Sequence, residues 1–289
     1  MKKVARVHSA PAKHWVGNGF HVHGMFAYND RVTNLSPFLL MDYNSPRMFE
    51  PNHGSPRGVG EHPHRGFETV TIAYQGEVSH KDSHGGGGTI KEGDVQWMTA
   101  GSGLMHQEFH SEEFSKAGGM FEMVQLWVNL PAKDKMTTPK YQAITSENIP
   151  EVALTNEAGV ARIIAGNFAE TAGTASTFTP INMWDIRLNA GKQQVFAIPE
   201  SHNLLLLVLE GTVLVNGEHI VRASQLVSFE KGGKDVEIEA NTDAKILLLS
   251  GEPIDEPVVG YGPFVMNSEE EIRQAIMDVQ TGRFGQIVQ

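Results

Sequence analysis

The sequence predicts an all-β protein made of two similar β-domains in tandem, closed by a short C-terminal helix. Three observations carry this prediction. Short β-rich runs bounded by glycine, asparagine and proline recur along most of the 289 residues. The two halves of the chain can be laid over one another. Only one long segment, near the C-terminus, has helical periodicity together with a start signal.

The overlay places Gln75-Gly76 on Glu210-Gly211, an offset of 135 residues (Gly76 to Gly211), and Gly93–Met98 on Ala223–Ser228, an offset of 130 (Gly93 to Ala223). The first half is therefore five residues longer in the intervening hairpin, where it carries the run Gly85 to Gly88. The candidate site residues are kept only in the first half. His62, His64 and Glu68 fall on Ala197, Pro199 and Asn203, and His106 and Glu108 fall on Val236 and Ile238. A site built from those residues occurs once per chain.

Taken in order, Gly19–Gly24 reads as a strand whose His21 and His23 form a sheet-surface pair, and Pro37–Tyr43 as a strand entering the Asn44-Ser45-Pro46 turn. Thr69–Tyr74 is β-rich and stops at Gln75-Gly76. The four glycines lack the following helix and Lys-Ser/Thr of a phosphate loop, so they read as a flexible hairpin tip with His80 and His84 solvated on it. Phe121–Leu130 is a long strand stopped by Pro131. The polar stretch beyond it suggests domains at 1–131 and 146–289 joined by a linker at 132–145. Trp184–Leu188, Leu204–Leu209, Thr212–Val215, Leu226–Phe229 and Lys245–Leu249 supply the strands of the second half, with Asn216-Gly217 a hairpin signal. Ser268 and Glu271 form a capping box, and Ile272, Ala275, Ile276 and Val279 share one face of the helix that follows.

Bulk properties narrow the function. A net charge of −11 without a local Lys/Arg cluster argues against direct nucleic-acid binding, although a protein partner stays open. The N-terminus has no apolar run behind its early lysines, and no window approaches the roughly 18 apolar residues of a membrane span. A cytoplasmic location is the expectation. With no cysteine, any metal must be held by imidazole and carboxylate.

His62 and His64 stand two apart, so on a strand both side chains leave the same face. His106 and Glu108 share that spacing on a second strand and can meet the first pair. Three neutral imidazoles and one carboxylate suit a divalent ion such as iron, nickel, copper, zinc or manganese, with open positions left for water, substrate or O₂. Glu68 shares strand parity with His62 and His64, and His110 follows Glu108 by two, so each is a further candidate contact. Arg65 and Glu61 read as surface or supporting residues, and Gln125 and Trp127 as pocket lining or core.

These blocks resemble cupins, and within them the pirin family. The resemblance rests on His62-Pro63-His64-Arg65-Gly66-Phe67-Glu68-Thr69-Val70, on Gly93–Gly101 with His106-Gln107-Glu108, on Gln125–Pro131 and on Gly262–Asn267. Thr99 stands where many cupins have proline. The resemblance implies two antiparallel β-barrels of the double-stranded β-helix type, with one mononuclear metal, typically iron, held in the first by His62, His64, His106 and Glu108. It also implies that Glu68 is not a ligand. Some pirins open flavonols such as quercetin with O₂, which would make Glu108 the general base and a small aromatic molecule the substrate. Others act as metal- or redox-sensing regulators through protein partners, and a different cupin reaction such as isomerisation is a third option.

Overall fold

The computed structural model describes residues 1–30 and 35–288. It divides into two compact units that do not follow the halves of the sequence. One comprises Ala12–Tyr28, Phe38–Ser146 and Ile254–Gln289, and the other Met1–Pro11, Asn29–Pro37 and Glu147–Pro253.

Each unit pairs a seven-stranded antiparallel sheet with a four-stranded one, and the ladders of the two sheets do not run into each other. The repeat and the all-β class are thus realised as two facing sheets per unit rather than as hydrogen-bonded closed barrels. In the unit containing residues 147–253, the strand Asn203–Glu210 lies between Gln225–Phe229 and Ala244–Gly251. Its run of leucines is buried on both faces, as a central strand requires. Ile186, Leu206 and Leu248 from the large sheet meet Phe196, Val213 and Ile238 from the small one in a single core.

The other unit carries His62, His64 and His106. Its large sheet runs through Lys140–Ile144, Val95–Thr99, Phe67–Gln75, Gly119–Asn129, Phe38–Phe49, Phe20–Ala27 and Lys13–Val16. Its small sheet runs through Gly58–His64, Leu104–His110, Val78–Asp82 and Gly87–Ile90. Phe20, Ala73 and Phe121 pack against Val78 and Ile90 between them.

The expected domain boundaries differ from this division at three places. Val4–His8 pairs with Gln225–Phe229, so the N-terminal strand joins the unit formed mostly by the second half. The 132–145 segment is no linker, because Lys140–Ile144 forms the edge strand beside Val95–Thr99 and Lys135 is fully buried. Its polar composition reflects an exposed edge and a short 3₁₀ turn rather than a free connection. The C-terminal helix, Glu269–Gln280, is capped by Ser268 as expected, but it belongs to the histidine-bearing unit. There Arg65 donates to Asp278 at 2.9 Å, and Ile272 and Ala275 pack with Phe264 and Phe284.

Candidate metal centre

Two adjacent antiparallel strands bring the histidines together. His106 lies directly opposite His62 and Leu104 opposite His64, after which a bulge shifts the register so that Glu108 faces Val59. Along Leu104–His110 the residues Leu104, His106, Glu108 and His110 are buried and alternate with partly exposed neighbours, so His106 and Glu108 share the inner face. Ring centroids are separated by 4.2 Å for His62 and His106, 4.8 Å for His64 and His106, and 4.9 Å for His62 and His64. The three rings offer ligand nitrogens within 4.8 Å of one another. A second such group, His80, His106 and Glu108, overlaps the first through His106.

Each ring is oriented by its Nδ1. His62 Nδ1 donates to the Gly60 carbonyl at 2.8 Å, and His64 Nδ1 donates to the Pro263 carbonyl at 3.3 Å. His106 Nδ1 meets His80 Nδ1 at 3.4 Å, while its Nε2 is buried and has no hydrogen-bond partner among the described residues. Such an orphaned nitrogen calls for a partner. Burial first, and the neighbouring His62 second, push His64 down to about 3. Burial, then His64 and His62, likewise hold His106 well below its ordinary value. Both imidazoles are therefore neutral at pH 7, the form that ligates metals.

Glu108 is held from the opposite sheet. Gln96, Thr71 and Gln125 lie on three neighbouring strands at one level, Thr71 opposite both Gln96 and Gln125. Gln96 Nε2 and Thr71 Oγ1 donate to Glu108 Oε1, and Gln125 Nε2 donates to Oε2 at 2.8 Å. His62, His64 and Glu108, together with Gln125, Trp127 and Pro263, line a cavity of about 230 Å³. Trp127 stacks on Phe67 at 4.3 Å and stands 5.3 Å from His64. Asp42 also lines the cavity, its carboxyl raised to about 6 by burial, with His14 opposing that shift.

The remaining candidates lie elsewhere. Glu68 is buried and accepts from Thr99 Oγ1 at 2.7 Å, with burial raising it to about 7 against that hydrogen bond. His110 donates from Nε2 to the Gly19 carbonyl at 2.9 Å and is packed among Phe20, Phe49 and Phe121. Neither belongs to a metal-competent group among the described residues. His21 stacks on Trp15 and accepts from Arg47, away from the cluster. Glu61 is exposed, whereas Arg65 is buried and donates to the Ser102 carbonyl and to Asp278. His80 corrects the sequence expectation: it is 2% exposed, not solvated, because Val78, His80 and Asp82 are the inward residues of their strand.

The fold and the site define a two-domain cupin protein with a histidine-rich centre. The family model described as Pirin matches residues 19–128, and the Pirin C-terminal cupin domain matches residues 183–285. A Pseudomonas aeruginosa protein provisionally named as a quercetin 2,3-dioxygenase is 52% identical over 98% of this chain and 99% of its own length. Pirin-1 of Arabidopsis thaliana is 40% identical over 87% of this chain and 84% of its own. A crystal structure of quercetin 2,3-dioxygenase from Acinetobacter baumannii superposes with a TM-score of 0.96 at 52% identity, covering both chains entirely. The chain belongs to the pirin family.

The residues present fit a transition ion. His62 and His64 donate from Nδ1 to carbonyls and leave bare Nε2 atoms, the buried Nε2 of His106 has no partner among the described residues, and Glu108 groups with His106 and His80 rather than with His62 and His64.

Proposed function

We propose that this protein is a metal-dependent dioxygenase, using iron, that opens the heterocycle of flavonols such as quercetin, with His62, His64, His106 and Glu108 as the metal ligands. The observation that carries the metal site is the buried, unpartnered Nε2 of His106 beside His62 and His64. The choice of reaction is supported by the relatives that bear the quercetin 2,3-dioxygenase name.

When bound, the ion would supply a Lewis-acidic position that lowers the pKa of the substrate's 3-hydroxyl and an open position for O₂. The protein's own groups do the rest. Trp127 offers a flat wall for an aromatic ring, and Leu40 and Met123 extend the apolar lining that excludes water. Glu108 accepts the hydroxyl proton, while Gln96 and Gln125 hold the carboxylate in place as it does so. The activated ring then takes up O₂ and loses carbon monoxide.

The test is turnover of quercetin by iron-loaded protein, followed by loss of the flavonol absorbance and by release of carbon monoxide. Glu108→Gln should slow turnover by about 10²-fold or more, the usual worth of a general base. Equal rates in the two proteins would remove Glu108 from that role. Absence of turnover, together with capture of a protein partner that depends on the oxidation state of the metal, would replace the enzyme by a redox-sensing regulator.

A further inference from the structure

The glycine run and the buried His80 are not used by the reading above, yet they meet behind His106. We propose that Asp82 and His80 are positioning residues that set the tautomer of His106, so that it presents a bare Nε2 to the ion. This rests on the metal-site reading given above.

The geometry is a line of three buried side chains. Asp82 Oδ2 lies 3.4 Å from His80 Nε2, and His80 Nδ1 lies 3.4 Å from His106 Nδ1. The side chains of His80 and Asp82 are 0% and 2% exposed. Strand pairing puts them there, because Leu104–His110 is bordered by Gly58–His64 on one edge and by Val78–Asp82 on the other. His106 thus has His62 across one edge and Asp82 across the other. The ring of Tyr141 lies nearly parallel to that of His80, with centroids 5.0 Å apart and planes 15° apart, and restrains its rotation.

The glycine loop holds the far end. The backbone N–H groups of His84 and Gly86 donate to Asp82 Oδ1 at 2.8 and 2.9 Å, which leaves Oδ2 for His80. A Cβ at Gly86 would fall 2.3 Å from Asp82 Oδ2 and 2.7 Å from Tyr141 Cβ, so a side chain there would push apart the very groups that align His80. The loop is a cradle for a carboxylate rather than for a phosphate.

Hydrogen-bond logic gives the proton arrangement that satisfies the whole line. An ionised carboxylate only accepts, so His80 Nε2 carries the hydrogen. With a single N–H on each imidazole, His80 Nδ1 accepts and His106 Nδ1 donates to it. That leaves His106 Nε2 without a hydrogen. At 3.4 Å each contact is long and individually weak. Its effect is a choice between two tautomers of nearly equal energy, not a contribution to stability. Orienting partners of this kind are worth about 10- to 100-fold in metal affinity.

Asp82→Asn tests this directly. The amide oxygen can keep both backbone hydrogen bonds of the loop, while its NH₂ faces His80 Nε2 as a donor and reverses the line. The probes are Ni(II), titrated against a competing chelator, and the ring ¹⁵N shifts of His106 in the metal-free protein. The expected result is an Nδ1–H tautomer in the wild type, an Nε2–H tautomer in the variant, and a 10- to 100-fold loss of Ni(II) affinity at an unchanged melting temperature. An identical His106 tautomer in both proteins overturns the proposal, as does equal affinity. If His80→Ala abolishes Ni(II) binding while His62→Ala does not, the ion belongs to His80, His106 and Glu108, and the positioning role is wrong. A wild type that binds no Ni(II) removes the metal site itself, an outcome distinct from a bound ion with unchanged tautomers.

Discussion

Gln125 reaches across the interior of its unit to Glu108, its Nε2 donating to Oε2 at 2.8 Å, and so ties the large sheet to a carboxylate that faces it from the small one. Gln96 serves the other oxygen. The carboxylate is therefore held before any ion or substrate arrives, and the first prediction concerns that hold. Gln125→Leu keeps the volume but removes the donor, so Glu108 gains freedom that metal binding must then take away. Metal affinity should fall about 10- to 100-fold, measured by chelator competition. An unchanged affinity would show that Gln96 and Thr71 suffice.

His110 separates ligands from core. It donates to Gly19 and is enclosed by aromatic rings, so His110→Phe should leave one ion per chain, as judged by elemental analysis. The Gly19 carbonyl loses its partner, and stability should fall by about 1–3 kcal/mol in denaturant titration. Loss of the metal would place His110 in the site.

Glu68 predicts a pH dependence. Its folded pKa, raised by burial to about 7 from 4.5, means that the folded state holds a proton which the unfolded state has released. Stability contributed by the neutral acid is complete below about pH 4.5 and is lost as the pH rises to about 7. Glu68→Gln should keep the acceptor for Thr99 and remove this loss. The variant should gain on the wild type across that window by on the order of 3 kcal/mol, at about 1.4 kcal/mol per pH unit. A constant difference between the two proteins from pH 4.5 to 7 would contradict the shift.

Lys135 is an interior ammonium whose three hydrogen bonds all go to oxygens: Gly66 O at 2.8 Å, Asn129 Oδ1 at 2.7 Å and Val265 O at 2.9 Å. Burial lowers its pKa to about 8, with Glu256 and Glu271 opposing the shift. Lys135→Met takes the ammonium donor from the Gly66 and Val265 carbonyls, while Asn129 Oδ1 keeps the Leu130 N–H, and should cost about 2 kcal/mol or more, read as a lowered denaturant midpoint. A cost below about 1 kcal/mol would mean that water replaces the ammonium.

The i, i+2 spacing of His62 with His64 and of His106 with Glu108 was enough to place these residues on inner strand faces, because strand parity is a local property. Their joining depended on which strands pair, and the turn glycines only suggested it. His80 reads as solvated in the sequence because Lys81, Asp82, Ser83 and His84 surround it with polar residues. The signal available was the alternation Val78, His80, Asp82 against Ser79 and Lys81. Thr71 and Gln96 stand in the sequence as isolated polar residues in apolar strands, and an interior hydroxyl or amide needs a partner and so points to one. The 132–145 segment looked like a linker because composition does not distinguish an exposed sheet edge from a free chain. The attachment of the C-terminal helix to the histidine-bearing unit could not be read locally, since Arg65 and Asp278 are 213 residues apart.

The carbonyl that orients His64 belongs to Pro263, 199 residues further on. During synthesis, the strands bearing His62, His64 and His106 leave the ribosome long before that carbonyl does. Until it arrives nothing holds His64 Nδ1, so the aim of a ring that local strand pairing sets beside His106 is decided by a contact made 199 residues later.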